Sequence, residues 1–255
     1  GTDTLSLTTM AERDGNAGYV INGQKVWTSR AEHSDLMLLL ARTDKDVEKS
    51  YQGLTLFWVP TKSVGVKITK LAKLGMRSMG SCAVHLEDVF VPDDLVMGET
   101  DRAWRMLLPT LNNERMMVSA FCLGIIDGVL EDALEYAQQR KAFNKVIGQF
   151  QAIQHMIADI KMAQYQVECM LTDCAWKISN GRESLIEATA LKIVASEQAN
   201  KCADLGIQIL GGMSYSAETD MQRYWRDSRL CRIGPITNEM ARNVIAENLG
   251  LPRSF

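Results

Sequence analysis

Val91–Glu99, "VPDDLVMGE", divides the chain into two segments with different hydrophobic periods. Before it come short runs rich in β-branched and aromatic residues: Asp35–Arg42 "DLMLLLAR", Gly53–Pro60 "GLTLFWVP", Val64–Ile68 "VGVKI" and Cys82–Pro92 "CAVHLEDVFVP". Gly, Pro and charged residues separate them, the usual punctuation of strands. In Gly18–Ser29, "GYVINGQKVWTS", the Asn22-Gly23 pair predicts a hairpin turn between two strands. Residues 1–100 are therefore expected to form a small antiparallel β-barrel or sandwich.

After Glu99 the apolar spacing becomes helical. A short helix is predicted near Ala103–Leu111, interrupted around Pro109 and Asn112-Asn113. A long helix is expected over about Glu114–Gln139, with Ala, Leu and Ile at three- and four-residue steps. Another covers about Phe150–Ser179 and stops at Asn180-Gly181, a good C-cap. A third covers about Leu185–Leu210 and ends at Gly211-Gly212. "MQRYWRDSRL" is a polar, Arg-rich segment, and the last helix begins near Thr237, an N-cap candidate, to stop at Gly250. Long antiparallel helices with short connections predict a four-helix bundle over residues 101–255. The expected class is α+β, a barrel domain followed by a bundle.

Composition narrows the function. The chain has 255 residues, 46% of them hydrophobic, and a net charge of −3. That describes a globular protein with no basic face for nucleic acid or an acidic membrane surface. Its longest apolar runs are too short to span a bilayer, and "GTDTLSLTT" has no apolar signal core. The expectation is a soluble protein. The six cysteines form no C-x-x-C pair, and read as free, mostly buried thiols of a reducing compartment. His33, His85 and His155 lie far apart in sequence, so no zinc site is expected.

Five stretches carry a resemblance: Gly18–Asp44, Leu111–Met117 "LNNERMM", Gln139–Gln154 "QRKAFNKVIGQFQAIQ", Gln208–Tyr215 "QILGGMSY" and Tyr224–Gly234 "YWRDSRLCRIG". In this order and spacing the sequence resembles an acyl-CoA dehydrogenase along essentially its whole length. The resemblance implies FAD, a middle β-barrel domain, and a C-terminal four-helix bundle that forms homodimers or homotetramers. It also implies an acyl-CoA substrate, an electron-transfer flavoprotein as acceptor, and a location in bacterial cytoplasm or the mitochondrial matrix. The family's N-terminal helical domain has no counterpart here. Gly1-Thr2-Asp3 resembles the end of a flavin-binding loop, so a fragment of a longer chain is expected, the alternative being a subunit completed by another chain.

The resemblance also assigns residues. A flavin ring needs an apolar wall and a donor aimed at its reducible N5. Trp27 of Trp27-Thr28-Ser29 would pack against the ring, and Ser29 would donate. Arg140, of the R-x-x-F pair with Phe143, would grip the pyrophosphate of a neighbouring subunit's FAD, a task suited to its planar fork. Phe143 would lie beside the adenosine. Gln151, Gln208, Gly211, Gly212 and Thr237 match other cofactor positions. Without the family context, each has a plainer explanation as a strand-edge Trp, a turn Ser or a helix cap.

The base that removes the α-proton needs separate treatment. Many relatives carry a Glu in "Y-E-G-T" before the last helix, and Pro235 of "RIGPITNEM" occupies that position here. A minority, resembling isovaleryl-CoA and long-chain dehydrogenases, place the base in "L-x-x-E-R". "LNNER" puts Glu114 there, followed by Arg115 as a substrate-side residue. Taken alone, Glu114 would be an ordinary first-turn Glu favoured by the helix dipole. Glu239 is the competitor, placed where first-turn acids stabilise helices. Proline also lacks the N–H that the resemblance implies would polarise the thioester carbonyl; Gly234 or Ile236 is expected to substitute, or the carbonyl to be held differently. Alternative readings are an acyl-CoA oxidase, a flavin monooxygenase of the same fold, or a non-catalytic scaffold subunit.

Overall fold

Seven strands of the amino-terminal half form one sheet, in the order β5-β6-β2-β1-β3-β4-β7. Among the described residues the strands are, in chain order, β1 (Met10–Asp14), β2 (Gly18–Ser29), β3 (Leu36–Arg42), β4 (Leu54–Pro60), β5 (Val66–Lys70), β6 (Ser81–Pro92), β7 (Val96–Met97), β8 (Lys141–Ala142) and β9 (Lys145–Val146). The helices are α1 (Ala103–Gln139), α2 (Gln151–Ser179), α3 (Leu185–Leu210), α4 (Met221–Cys231) and α5 (Asn238–Asn248). This computed structural model describes residues 2–15 and 17–253, with Asn112 described for its backbone alone. The expectation attached to Gly1 lies outside the described residues. The chain divides into two units, Gly1–Thr110 and Leu111–Phe255.

The first unit is a β domain, but its sheet is open. Pairing is antiparallel except between β1 and β3, and β5 and β7 form the two edges. No strand pair among the described residues closes it into a barrel. Inward-facing residues of β2, β3, β4 and β6 build the core, where Ile21, Phe57, Val59, Val84, Val89 and Val91 are fully buried. Tyr19 meets Phe57 edge-on at 5.2 Å.

The Asn22-Gly23 hairpin is not formed. β2 runs straight through it, and the ladder to β6 shifts register between Ile21 and Gly23. The pair makes a bulge instead. Gly23 takes φ +143°, where an added Cβ would strike Thr9 at 2.8 Å. Asn22 exchanges side-chain bonds with Asp88, accepting from its N–H at 2.8 Å and donating to its carboxylate at 3.0 Å.

The second unit is helical and built around α3. Thirteen α3 residues are buried, against four of the longer α2. Core residues Cys122, Ile126, Val129, Ile160, Leu191, Ala195 and Met221 pack together. Gly206 and Gly128 admit α4 closely, since a Cβ would meet Met221 at 2.3 Å and Tyr224 at 2.7 Å respectively. The Asn180-Gly181 stop is as expected: Gly181 donates to Ile178 and Arg182 to Lys177, which closes α2 with paired cap bonds.

One helical expectation needs correction, and one helix has no counterpart among the expectations. α1 is continuous from Ala103 to Gln139 and carries Pro109 inside it, so neither Pro109 nor Asn112-Asn113 breaks it. A mid-helix proline costs about 3 kcal/mol. Burial of Ala103, with Leu107 packed in the same small cluster, helps offset that cost. Glu114 therefore lies three turns into α1 rather than in a first turn, and the helix dipole does not explain it. The Arg-rich segment forms the eleven-residue α4.

Candidate active site

Trp27-Thr28-Ser29 ends β2 at a second bulge. The β2–β6 register shifts between Lys25 and Thr28, after which Thr28 faces Cys82 and Ser29 faces Ser81. The displaced residue is Trp27, whose φ of +69° is costly for a bulky side chain. Arg30 follows at φ +58° and donates its N–H to Gly80 at 2.8 Å. The bulge leaves the Trp27 ring 67% exposed. Ser29 is exposed, and its hydroxyl has no hydrogen-bond partner among the described residues. A strained backbone holding an indole out of the core has no packing rationale within this unit. A flat aromatic ligand lying on the indole, with Ser29 donating, would supply one.

In the second unit, Arg140 follows the last residue of α1 and leads into the β8–β9 hairpin. Phe143 and Asn144 are its two turn residues, at φ +52° and +63°, the mirror-image turn that suits a twisted hairpin. This turn leaves Phe143 89% exposed, its ring meeting Phe150 edge-on at 6.1 Å. Arg140 is exposed and makes no ion pair among the described residues. Gln151 is the exposed first residue of α2. An exposed guanidinium three residues before an exposed aromatic suits a phosphate attached to a ring.

Gln208 is exposed on the last turn of α3, and the Gly211-Gly212 pair follows. Gly211 takes φ +57°, ψ −134°, a conformation open to glycine alone. An added Cβ at either glycine would meet nothing within 4 Å, so their backbones face open space. Thr237 caps α5 as expected, its hydroxyl oxygen accepting from Met240 N at 3.2 Å while its O–H stays free to donate. Glu239 lies in the first turn of the same helix and is exposed.

Glu114 and Arg115 are neighbours on α1 with opposite fates. Arg115, 9% exposed, joins the buried stripe of Ser119, Cys122, Ile126, Val129 and Ala133, and its Nη1 donates to Thr189 on α3 at 3.0 Å. Glu114 is turned about 100° away and touches solvent. The protein around it nevertheless thins its hydration, and this desolvation raises its carboxyl above the ordinary value of 4.5 against the opposing charge of Arg115. A carboxylate that keeps access but resists ionisation is suited to proton abstraction.

The "RIGPITNEM" turn is tied down by groups that sequence reasoning passed over. Lys192, fully buried on α3, donates to Ile236 O at 2.5 Å and to Asn238 Oδ1 at 2.7 Å. Asn238 in turn donates to Ser196 Oγ at 3.0 Å and to Glu197 Oε1 at 3.3 Å. The signal was present in "ATALKIVASEQA", a lone lysine on the apolar face of an otherwise core-forming helix. Gly234 spends its N–H on Leu230 O at 3.0 Å, and Asn238 spends its own on Arg232 O at 3.1 Å. The N–H groups of Ile236 and Thr237 have no partner among the described residues.

All six cysteines are free, and all but Cys169 are buried. No group of His, Cys, Asp or Glu among the described residues could hold a metal. No described helix is long and apolar enough to cross a membrane.

A strand unit that displays an indole from a bulge, followed by a helical unit with open glycines and an unpaired arginine, defines a known class. Residues 1–89 match the acyl-CoA dehydrogenase middle domain and residues 101–250 the acyl-CoA dehydrogenase C-terminal domain. The chain belongs to the acyl-CoA dehydrogenase family. It is 34% identical over 98% of its length to a probable acyl-CoA dehydrogenase of Bacillus subtilis, covering 65% of that protein. It is 32% identical over 98% of its length to isovaleryl-CoA dehydrogenase of Solanum tuberosum, covering 60% of it. The solved acyl-CoA dehydrogenase of Geobacillus kaustophilus superposes on 98% of the chain with TM-score 0.95 at 26% identity, the match covering 66% of that structure. The chain spans between 57% and 66% of the length of curated relatives it matches.

Proposed function

We propose that this chain carries out α,β-dehydrogenation of an acyl-CoA thioester to the 2-enoyl-CoA, with Glu114 as the base. The observation that carries the reading is the pairing of Pro235 with Glu114. The family's common base position holds a residue without acid–base chemistry, and its alternative position holds a carboxylate of raised pKa whose first-turn explanation has gone.

The chemistry divides as follows. FAD, when bound, supplies the acceptor for the β-hydride. Trp27 forms an apolar wall and Ser29 a donor for its ring; Arg140 grips pyrophosphate and Phe143 packs beside adenosine. Gln151, Gln208, Gly211, Gly212 and Thr237 complete the cofactor contacts, with the glycine pair letting backbone approach closely. Glu114 takes the α-proton onto its carboxylate. Water leaving on substrate entry raises its pKa further and matches it better to a weak carbon acid. Arg115 anchors that stretch of α1 through Thr189. The turn from Gly234 presents free N–H groups at Ile236 and Thr237 to the thioester carbonyl.

The same reading takes the seven-stranded sheet as the family's middle domain and the helices as its C-terminal bundle. It makes the assembly a homodimer or homotetramer, because Arg140 would serve a neighbouring subunit's cofactor. An electron-transfer flavoprotein is the acceptor. The test is incubation of the FAD-loaded protein with a panel of acyl-CoAs and an artificial electron acceptor, followed by mass analysis. A product lighter by H2 with a 2,3-double bond is expected, and its absence across branched, short, long and aromatic acyl groups rejects the reading.

A further inference from the structure

Pro235 removes the amide donor that would polarise the thioester carbonyl, and Gly234 N–H is engaged by Leu230. What remains in the turn is governed by a buried cation. Lys192 Nζ is 2.5 Å from the carbonyl oxygen of Ile236 and 2.7 Å from Asn238 Oδ1. The Ile236–Thr237 peptide is not among the cis bonds, so its N–H points opposite to its C=O. With the carbonyl end drawn toward Lys192, the Thr237 N–H is aimed the other way, and no described residue takes it.

We propose that Lys192 is a positioning residue that orients and polarises the Ile236–Thr237 peptide, making Thr237 N–H the donor to the thioester carbonyl in place of the one Pro235 lacks. The inference rests on the acyl-CoA reading above and names the group that stabilises its developing enolate. A cation on one end of an amide strengthens the donor at its other end, because hydrogen bonds in series polarise each other. Preorganisation matters as much. Lys192 also holds Asn238, the first residue of α5, so the turn is fixed at both sides of Thr237. A fully buried lysine is otherwise expensive, on a helix whose other buried positions are mostly apolar.

Lys192 faces Cys122 and Arg115 of α1, Cys231 of α4 and Glu239 of α5, besides its hydrogen-bond partners. Burial dominates this setting and lowers its ammonium to about 8. Its charge, and with it the polarisation, should therefore fade within an accessible range.

The experiment is difference infrared spectroscopy of crotonyl-CoA, 13C-labelled at the thioester carbonyl, bound to the FAD-loaded protein. In wild type the carbonyl band should be red-shifted from its position in water. Lys192→Met should lose most of that shift and about a hundredfold in kcat, with KM changed far less. A wild-type pH series needs no variant: the red shift should decline as pH rises through about 8, and do so equally in Cys231→Ser. If Lys192→Met does not fold, the pH series decides. A red shift unchanged in Lys192→Met, or flat with pH in wild type, overturns the role of Lys192 alone. If no 2-enoyl-CoA binds wild type at all, the acyl-CoA reading falls with it.

Discussion

Arg115 Nη1 donates to Thr189 Oγ1 at 3.0 Å, and this bond anchors to α3 the stretch of α1 that carries Glu114. With Arg115 buried against α3, the preceding residue must turn toward solvent, where a substrate can reach it. Glu114→Gln should therefore leave stability within about 0.5 kcal/mol, as for other surface changes. Dehydrogenation should fall by several orders of magnitude. Thermal melts alongside turnover separate the two effects.

The same carboxyl sets an acid limit on the reaction. Desolvation raises Glu114, so its proton is held to a higher pH than that of an ordinary carboxylate. A base acts only when ionised, and kcat/KM should decline as pH falls, with a midpoint above 4.5. A profile flat down to the ordinary carboxylate range would remove Glu114 from the role.

Trp27 offers a trade between stability and cofactor binding. Its left-handed conformation costs about 1 kcal/mol, and its exposed ring gains little packing in return. Trp27→Gly should raise the melting temperature of the FAD-free protein while weakening FAD binding. Calorimetric titration with FAD and a melt of the apoprotein check both halves.

Arg140 makes no ion pair among the described residues, so replacing it should spare the fold. Arg140→Gln removes a charged contact worth about 1.5–3 kcal/mol to a phosphate, a loss of roughly ten- to a hundredfold in FAD affinity. Arg140→Lys should recover only part, since an ammonium lacks the planar fork. FAD affinity of the three proteins, measured by fluorescence, tests the series.

Lys192 makes a stability prediction of defined sign. Its folded value of about 8 lies below the ordinary 10.5, so the unfolded chain binds more protons between these limits. Stability then rises with pH across that window, by on the order of 3 kcal/mol in total. Denaturant unfolding at intervals from pH 8 to 10.5, compared with Lys192→Met, isolates this term.

Much of this was readable beforehand where local chemistry and tertiary packing agree. The stop at Asn180-Gly181 and the Thr237 cap follow from backbone groups near in sequence, and both are present. Asn22-Gly23 failed because β6 supplied Asp88 as a partner and made a bulge more favourable than a turn. Pro109 failed as a breaker, with tertiary contacts of α1 offsetting a local penalty. α4 was missed because only Met221, Ser228 and Cys231 are buried along it; close approach at Gly128 and Gly206 organises it from outside. Lys192 is the clearest case of a residue whose role appears only in three dimensions. Forty-four residues separate it from the carbonyl it holds.

The central claim is that Glu114 removes a proton from an acyl-CoA. Anaerobic mixing of the FAD-loaded protein with a panel of acyl-CoAs, followed by flavin absorbance, tests it most directly. The account predicts rapid bleaching of wild type by at least one thioester and none in Glu114→Gln with FAD still bound. Bleaching that persists in Glu114→Gln would contradict it.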